Sequence, residues 1–159
     1  MNNGADQGFL REAIALARSG MLRGKGGPFG CVIVKDGRVI GQGNNKVLAT
    51  NDPTAHAEMV AIRDACNAIG DHQLLGCTIY CSCEPCPMCL GAIYWARPRK
   101  VYYANSKDDA AKAGFDDQFI YDEIDKEAPH RSIPMEQMLR EEAQEAFEKW
   151  VAKEDKQVY

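Results

Sequence analysis

Cys77-Thr78-Ile79-Tyr80-Cys81-Ser82-Cys83-Glu84-Pro85-Cys86-Pro87-Met88-Cys89-Leu90-Gly91-Ala92-Ile93-Tyr94-Trp95-Ala96 begins as a strand and ends as a helix. Cys77–Cys81 is a short apolar run of the kind buried inside a sheet. The run breaks at Cys83-Glu84-Pro85-Cys86-Pro87, where prolines withhold backbone donors. Met88–Ala96 then reads as helix, and Val101–Ala104 as the next strand. Strand, helix and strand in this order are the repeating element of a layered α/β domain.

The flanks extend that pattern. Phe9, Leu10, Ala13, Ile14, Ala17 and Met21 recur at helical spacing, so an amphipathic helix is expected from about residue 7, ended by Gly24-Lys25-Gly26-Gly27-Pro28. Cys31–Val34 and Val39–Gln42 flank Lys35-Asp36-Gly37-Arg38, a strong hairpin signal. Asn44 to Pro53 is polar and irregular, and Thr54 can cap a helix over Ala55–Ala68 with Val60, Ala61 and Ala65 inward. Lys107–Ala113 reads as a short helix stopped by Gly114. Ile133, Met135, Gln137 and Leu139 alternate weakly, compatible with strand or helix. Leu139, Ala143, Ala146, Phe147, Trp150 and Val151 form one helical apolar stripe. The expected fold is a single domain, residues 1–159: a three-layer α/β/α sandwich around a mixed sheet of about five strands, antiparallel at the opening hairpin and parallel after it.

Composition narrows the partners. The chain has 159 residues, 45% hydrophobic and 26% charged, which suits one soluble domain with a buried core and excludes disordered or collagen-like classes. Its 19 basic and 23 acidic residues leave a net charge of −4, a poor match to nucleic-acid phosphates or an anionic membrane. Seven cysteines are an odd number, and Met1-Asn2-Asn3-Gly4-Ala5-Asp6 does not open like a secretory leader. A cytoplasmic protein with reduced thiols is expected, in which clustered cysteines point to metal more than to disulfides.

Cys86 and Cys89 lie three apart, so both fall on one face of a first helical turn, where the helix N-terminus favours thiolate. His56-Ala57-Glu58 opens the preceding helix. If the two helix starts meet, His56, Cys86 and Cys89 offer a zinc ion three ligands and leave a fourth position for water. Glu58 then stands beside that water as a general acid/base. Cys83 and Cys86 also make a C-x-x-C pair, but Cys83 lies toward the strand end. Cys31, Cys66, Cys77 and Cys81 read as small core residues. Gly24-Lys25-Gly26-Gly27 lacks the spacing and the following Ser/Thr of a phosphate loop.

His-x-Glu followed by Pro-Cys-x-x-Cys is the zinc-deaminase pattern, matched here at every fixed position. With Ser82–Cys89 and Gly30–Asp36, the chain resembles the base and nucleoside deaminases of the cytidine deaminase fold. Gly26-Gly27-Pro28-Phe29-Gly30, Gly91-Ala92-Ile93-Tyr94-Trp95-Ala96-Arg97-Pro98 and Ala113-Gly114-Phe115-Asp116-Asp117 resemble the bacterial guanine deaminase branch in particular.

That resemblance covers nearly the whole chain and implies zinc-dependent hydrolysis of guanine to xanthine and ammonia. It implies His56, Cys86 and Cys89 as ligands, Glu58 as the catalytic acid/base, and Asp117 assisting proton transfer to departing ammonia. A solvated turn after Gly114 is the ordinary reading of Asp116-Asp117. The resemblance also places Asn45, Phe29, Ala57 and Trp95 against the purine; a turn asparagine and plain core aromatics are the alternatives. Tyr159, from a C-terminal segment of about 140–159 exchanged between subunits, would cover the neighbour's substrate, implying a homodimer. The rival functions are a tRNA adenosine deaminase, another base or nucleoside deaminase of the same fold, and a binding module with purely structural zinc. An acidic chain suits polyanionic tRNA poorly, and a structural site has no use for Glu58.

Overall fold

A computed structural model describes residues 3–158 of the chain. Two compact units divide it, Met1–Phe119 and Ile120–Tyr159. The first opens with α1 (Asn3–Leu22), longer than the apolar spacing alone indicates, followed by the hairpin β1 (Gly30–Lys35) and β2 (Arg38–Asn44). Asp36 and Gly37 both have positive φ, 49° and 75°. That is the backbone of a two-residue type I′ turn, whose twist matches the strands it joins.

A short helix α2 (Val47–Thr50) interrupts the polar loop, and α3 (Ala57–Ile69) follows. Thr54 does not cap α3. Its amide and hydroxyl both donate to Asp52 Oδ1, at 2.8 and 2.7 Å, and this local turn delays the helix until His56 occupies the cap position. Then come β3 (Thr78–Cys83), α4 (Pro87–Ala96), β4 (Lys100–Asn105) and α5 (Lys107–Lys112). Proline at the start of α4 is tolerated because that amide has no helical acceptor.

The sheet has four strands in the order β2-β1-β3-β4, one fewer than expected. β1 pairs antiparallel with both β2 and β3, and only β3 and β4 pair in parallel. Parallel pairing therefore begins later than expected, because β3 is inserted beside β1 instead of beside β2. The connection from β2 through α3 still brings β3 into the sheet in the same direction as β2.

Helices cover both faces, as a three-layer sandwich requires. On one, Ala13 of α1 packs with Val32, Val34 and Tyr80, flanked by Phe9, Leu10, Leu16 and Tyr102. On the other, Ala57, Ala61 and Ala65 of α3 and Ile93 and Ala96 of α4 bury Cys31, Ile33, Ile79 and Cys81. α3 approaches β2 closely: a Cβ on Gly43 would lie 2.4 Å from the Ala57 carbonyl oxygen, and one on Gly41 2.6 Å from the Ala65 Cβ. Glycines facing alanines let helix and strand meet backbone to backbone, and this contact sets the height of the α3 start above the sheet.

α6 (Gln118–Ile124) runs across the division between the units. In the second unit, a 3-10 turn spans Ala128–His130 and α7 spans Arg140–Ala152. The weakly alternating stretch 133–139 forms neither strand nor helix. Ile133, Met135 and Leu139 are 77%, 53% and 70% exposed, so the alternation has no face to bury. Upstream, Arg131 Nε donates to the Glu123 carbonyl at 3.1 Å and the Ser132 amide to the Glu123 carboxylate at 2.7 Å. These bonds turn the chain back instead of extending it. On α7, Glu145 pairs with Lys149 at 3.6 Å, while Phe147, Trp150 and Val151 of the apolar stripe are exposed. Among the described residues, no helix is long and apolar enough to cross a membrane.

Candidate metal centre and active site

Two helix starts meet above the sheet. His56 is the N-cap of α3 and Cys86 the N-cap of α4, both with extended backbone and neither using its side chain as a cap. Their side chains are therefore available to each other. His56 Nδ1 lies 3.5 Å from Cys86 Sγ and 3.6 Å from Cys89 Sγ, and the three donor atoms lie within 4.8 Å of one another. Cys89 is fully buried on the first turn of α4. A tetrahedral ion with Zn–N near 2.0 Å and Zn–S near 2.3 Å separates nitrogen and sulfur by about 3.5 Å. The observed separations fit that ion.

The electrostatics favour metal binding. The Cys86 thiol is pulled well below its ordinary value, chiefly by the hydrogen bond from Cys89 and also by His56. Cys89 is pushed the opposite way, because its proton is the one shared with Cys86 and because it is buried. His56 is raised by its bond to Cys86. A metal ion held by His56, Cys86 and Cys89 would take the place of that shared proton and let both sulfurs be thiolates at once.

Glu58, on the first turn of α3, is buried, with Oε2 3.4 Å from Cys89 Sγ. Burial pushes its carboxyl up from the ordinary range.

The other sequence candidates distribute unevenly. Asn45 is buried; its backbone N–H donates to the Phe29 carbonyl at 3.0 Å, and its side-chain Oδ1 accepts from the Val47 amide at 3.1 Å. The ordinary turn reading of Asn45 is thus realised at a position joined to Phe29. Phe29 is half-buried, packs against the core and meets Phe115 edge-on, with ring centroids 5.0 Å apart. Ala57 is fully buried directly after His56. Asp117 is half-buried, and its carboxyl is raised first by burial and next by the charge of Cys86. Trp95 stands 65% exposed near the end of α4, so it is not a core residue. Tyr159 lies outside the described residues. Cys83 is buried and donates to the Ser106 carbonyl at 3.5 Å, outside the His56 cluster. Cys31, Cys77 and Cys81 are buried as expected, and Cys66 is half-buried.

Residue-by-residue reading missed three supports. Ser82 Oγ accepts the Gly30 amide at 2.9 Å and fixes the start of β1 on β3. Glu84 receives the Lys107 amide at 3.1 Å and donates its own amide to the Asn105 carbonyl at 2.8 Å. It thereby ties α5 to the loop before Cys86. Phe115 is the third. Local sequence contains no sign of these long-range bonds. A cavity of about 320 Å³ lies apart, lined by residues such as Leu16, Lys25, Asn44 and Asp64, and includes no member of the His/Cys/Glu cluster. The chemistry therefore points to the cluster and not to that hollow.

Residues 3–105 match the cytidine and deoxycytidylate deaminase zinc-binding region. The chain belongs to this deaminase family. It is 58% identical over 142 residues to a guanine deaminase of Bacillus subtilis, covering 89% of this chain and 91% of that one. The X-ray structure of guanine deaminase from Bacillus subtilis superposes with a TM-score of 0.94 at 56% identity, covering 96% of this chain and 98% of that chain. A tRNA-specific adenosine deaminase of Agrobacterium fabrum is 44% identical over 108 residues, 67% of this chain and 70% of its own. Within the family, then, the likeness to the guanine deaminase runs past residue 105, where the family region ends, through most of the remaining chain.

Proposed function

We infer that this deaminase hydrolyses guanine to xanthine and ammonia in the cytoplasm, with one zinc held by His56, Cys86 and Cys89. The near-complete overlay on a guanine deaminase structure carries the substrate assignment, since it includes the C-terminal region beyond the shared zinc-binding part. The donor set and its spacing support the metal. Zinc bound there supplies Lewis acidity that activates water near neutral pH.

The chain's own residues then move protons. Glu58 takes one from the attacking water and delivers it to the purine ring nitrogen; it then takes the proton of the new hydroxyl and passes it to the amine, which leaves as ammonia while the tetrahedral carbon becomes a carbonyl. Asp117 assists at the departing ammonia. Phe29 offers a face to the flat base, and Asn45, Ala57 and Trp95 contact the base. Asn45 Oδ1 accepts from Val47, which orients the side-chain amide whose NH2 and remaining oxygen lone pair can meet the ring edge. The exposed apolar stripe of α7 supports a homodimer in which residues 140–159 are exchanged and Tyr159 covers the partner's substrate.

Ammonia release from zinc-loaded protein tests this directly, with guanine, adenine, cytosine and guanosine supplied separately. The expected result is turnover of guanine, lowered by about 10²–10⁴-fold in Glu58→Gln with zinc still bound. Turnover of another base alone would overturn the substrate, and unchanged turnover in Glu58→Gln would remove that residue from its role.

A further inference from the structure

We propose that Phe115 is a positioning residue for this reaction: set edge-on against Phe29, its ring holds the 114–117 turn so that Asp117 is presented to the His56–Cys86–Cys89 cluster. The proposal rests on the role inferred above for Asp117 and adds the means by which that carboxylate is placed.

The segment carrying Asp117 is anchored at its upstream end. The Lys107 amide bonds to Glu84, the Glu84 amide to Asn105, and Ser106 and Asp109 form a reciprocal capping box at the start of α5. At its downstream end Gly114 turns with φ of 90°, and the Phe115 amide bonds back to the Ala110 carbonyl at 3.0 Å. Asp116 Oδ1 accepts the Gln118 amide at 2.9 Å, so the turn is internally braced. The downstream bonds brace the turn on itself, and the Phe115 ring reaches from it to the residue before β1, meeting Phe29 at 85° with centroids 5.0 Å apart. Edge-to-face geometry is the favourable arrangement for two aromatic rings.

Phe29 is a firm abutment. Its carbonyl accepts the Asn45 amide, its own amide donates to the Gly27 carbonyl at 2.9 Å, and its ring packs on the core. Gly27 supplies an independent observation. A Cβ there would lie 2.9 Å from the Phe29 ring and 3.1 Å from the Phe115 ring. Both rings close over a backbone with no side chain, so any larger residue at position 27 would wedge them apart. Phe115 is itself 44% exposed, so its truncation leaves the buried core in place.

The test uses the zinc-loaded enzyme. Phe115→Ala is expected to lower kcat by about ten- to a hundredfold, the scale of a catalytic group displaced by about 1 Å. KM should stay within about twofold and zinc content should be unchanged; Phe115→Tyr should restore the rate and Gly27→Ala should imitate the loss. In an Asp117→Asn background, Phe115→Ala should add nothing, since the two residues act as one unit. Full multiplicative losses, or a change in KM alone, would overturn the proposal. A second arm needs no substrate. Amide exchange at Gln118, whose amide donates to Asp116, should accelerate in Phe115→Ala, and unaltered exchange would also overturn the proposal. A wild-type enzyme inert toward guanine would count against the substrate assignment and leave this second arm decisive for Phe115.

Discussion

Cys86 and Cys89 make one close pair of sulfurs in this molecule, and Cys31 and Cys81 make another, 3.9 Å apart across β1 and β3. The residues are chemically identical and their surroundings are not. The first pair begins a helix, faces an imidazole and a carboxylate, and has one thiol pulled toward its anion. The second lies in paired strands, fully buried, where burial raises Cys31 and the bond to Cys31 raises Cys81. Backbone context therefore decides whether a cysteine is suited to hold a metal or to pack. A helix start supplies amide dipoles and aims the side chain out of the layer. A central strand supplies only apolar contact.

The largest effect should come from exchanging a member of each pair. Cys89→Ser is expected to lose the metal and with it about three orders of magnitude or more in rate, read by elemental analysis and ammonia release. Cys81→Ala should keep one zinc per chain and lose about 1 kcal/mol of stability in denaturant. Equal metal loss in both would erase the distinction.

Alkylation offers a second test. In chelator-treated protein, Cys86 should react with iodoacetamide at a rate nearly constant across the neutral range. Its folded pKa lies below the ordinary thiol value, so the thiolate persists and is lost only on acidification. Cys31 and Cys81 should remain unlabelled until the protein unfolds, because their thiols are raised and buried. Peptide mapping by mass spectrometry distinguishes them, and early labelling of Cys31 would contradict the contrast.

A third test concerns the surface that lifts His56 toward the first pair. Gly43→Ala places a methyl against the Ala57 carbonyl and should cost about 1–3 kcal/mol. It should weaken zinc affinity while leaving the Cys31–Cys81 pair on its own strands undisturbed. Unchanged affinity would show that α3 is held at its height by something other than this contact.

How much was legible follows from where each signal resides. Asp36-Gly37 declares its turn because few residues adopt two successive positive φ values. The α3 and α4 helices are marked by local apolar spacing and by Pro87, and the ligand set by residue types that zinc chemistry restricts to a few patterns. Thr54 misled because a nearby carboxylate captured it, a competition in which Asp52 and a helix start offer the same hydroxyl similar bonds. The stretch 133–139 misled because weak alternation defines a strand only when another strand is present to receive it. Phe115 entered only as part of the resembling stretch 113–117 and without a role, because an aromatic on a turn has no meaning until its neighbour is known.

By itself the sequence determined the strands of the sheet, the helices between them, the hairpin and the zinc-deaminase pattern, because each depends on residues adjacent or regularly spaced along the chain. Only the tertiary structure decided that β3 inserts antiparallel beside β1, that four strands complete the sheet, that His56 comes within 3.6 Å of both Cys86 and Cys89, and that Phe115 closes on Phe29. Those facts join residues 30 to 86 positions apart. Contacts over such distances are selected by the packing of whole layers, α3 alanines against β2 glycines and α4 against the sheet, and no local rule contains them.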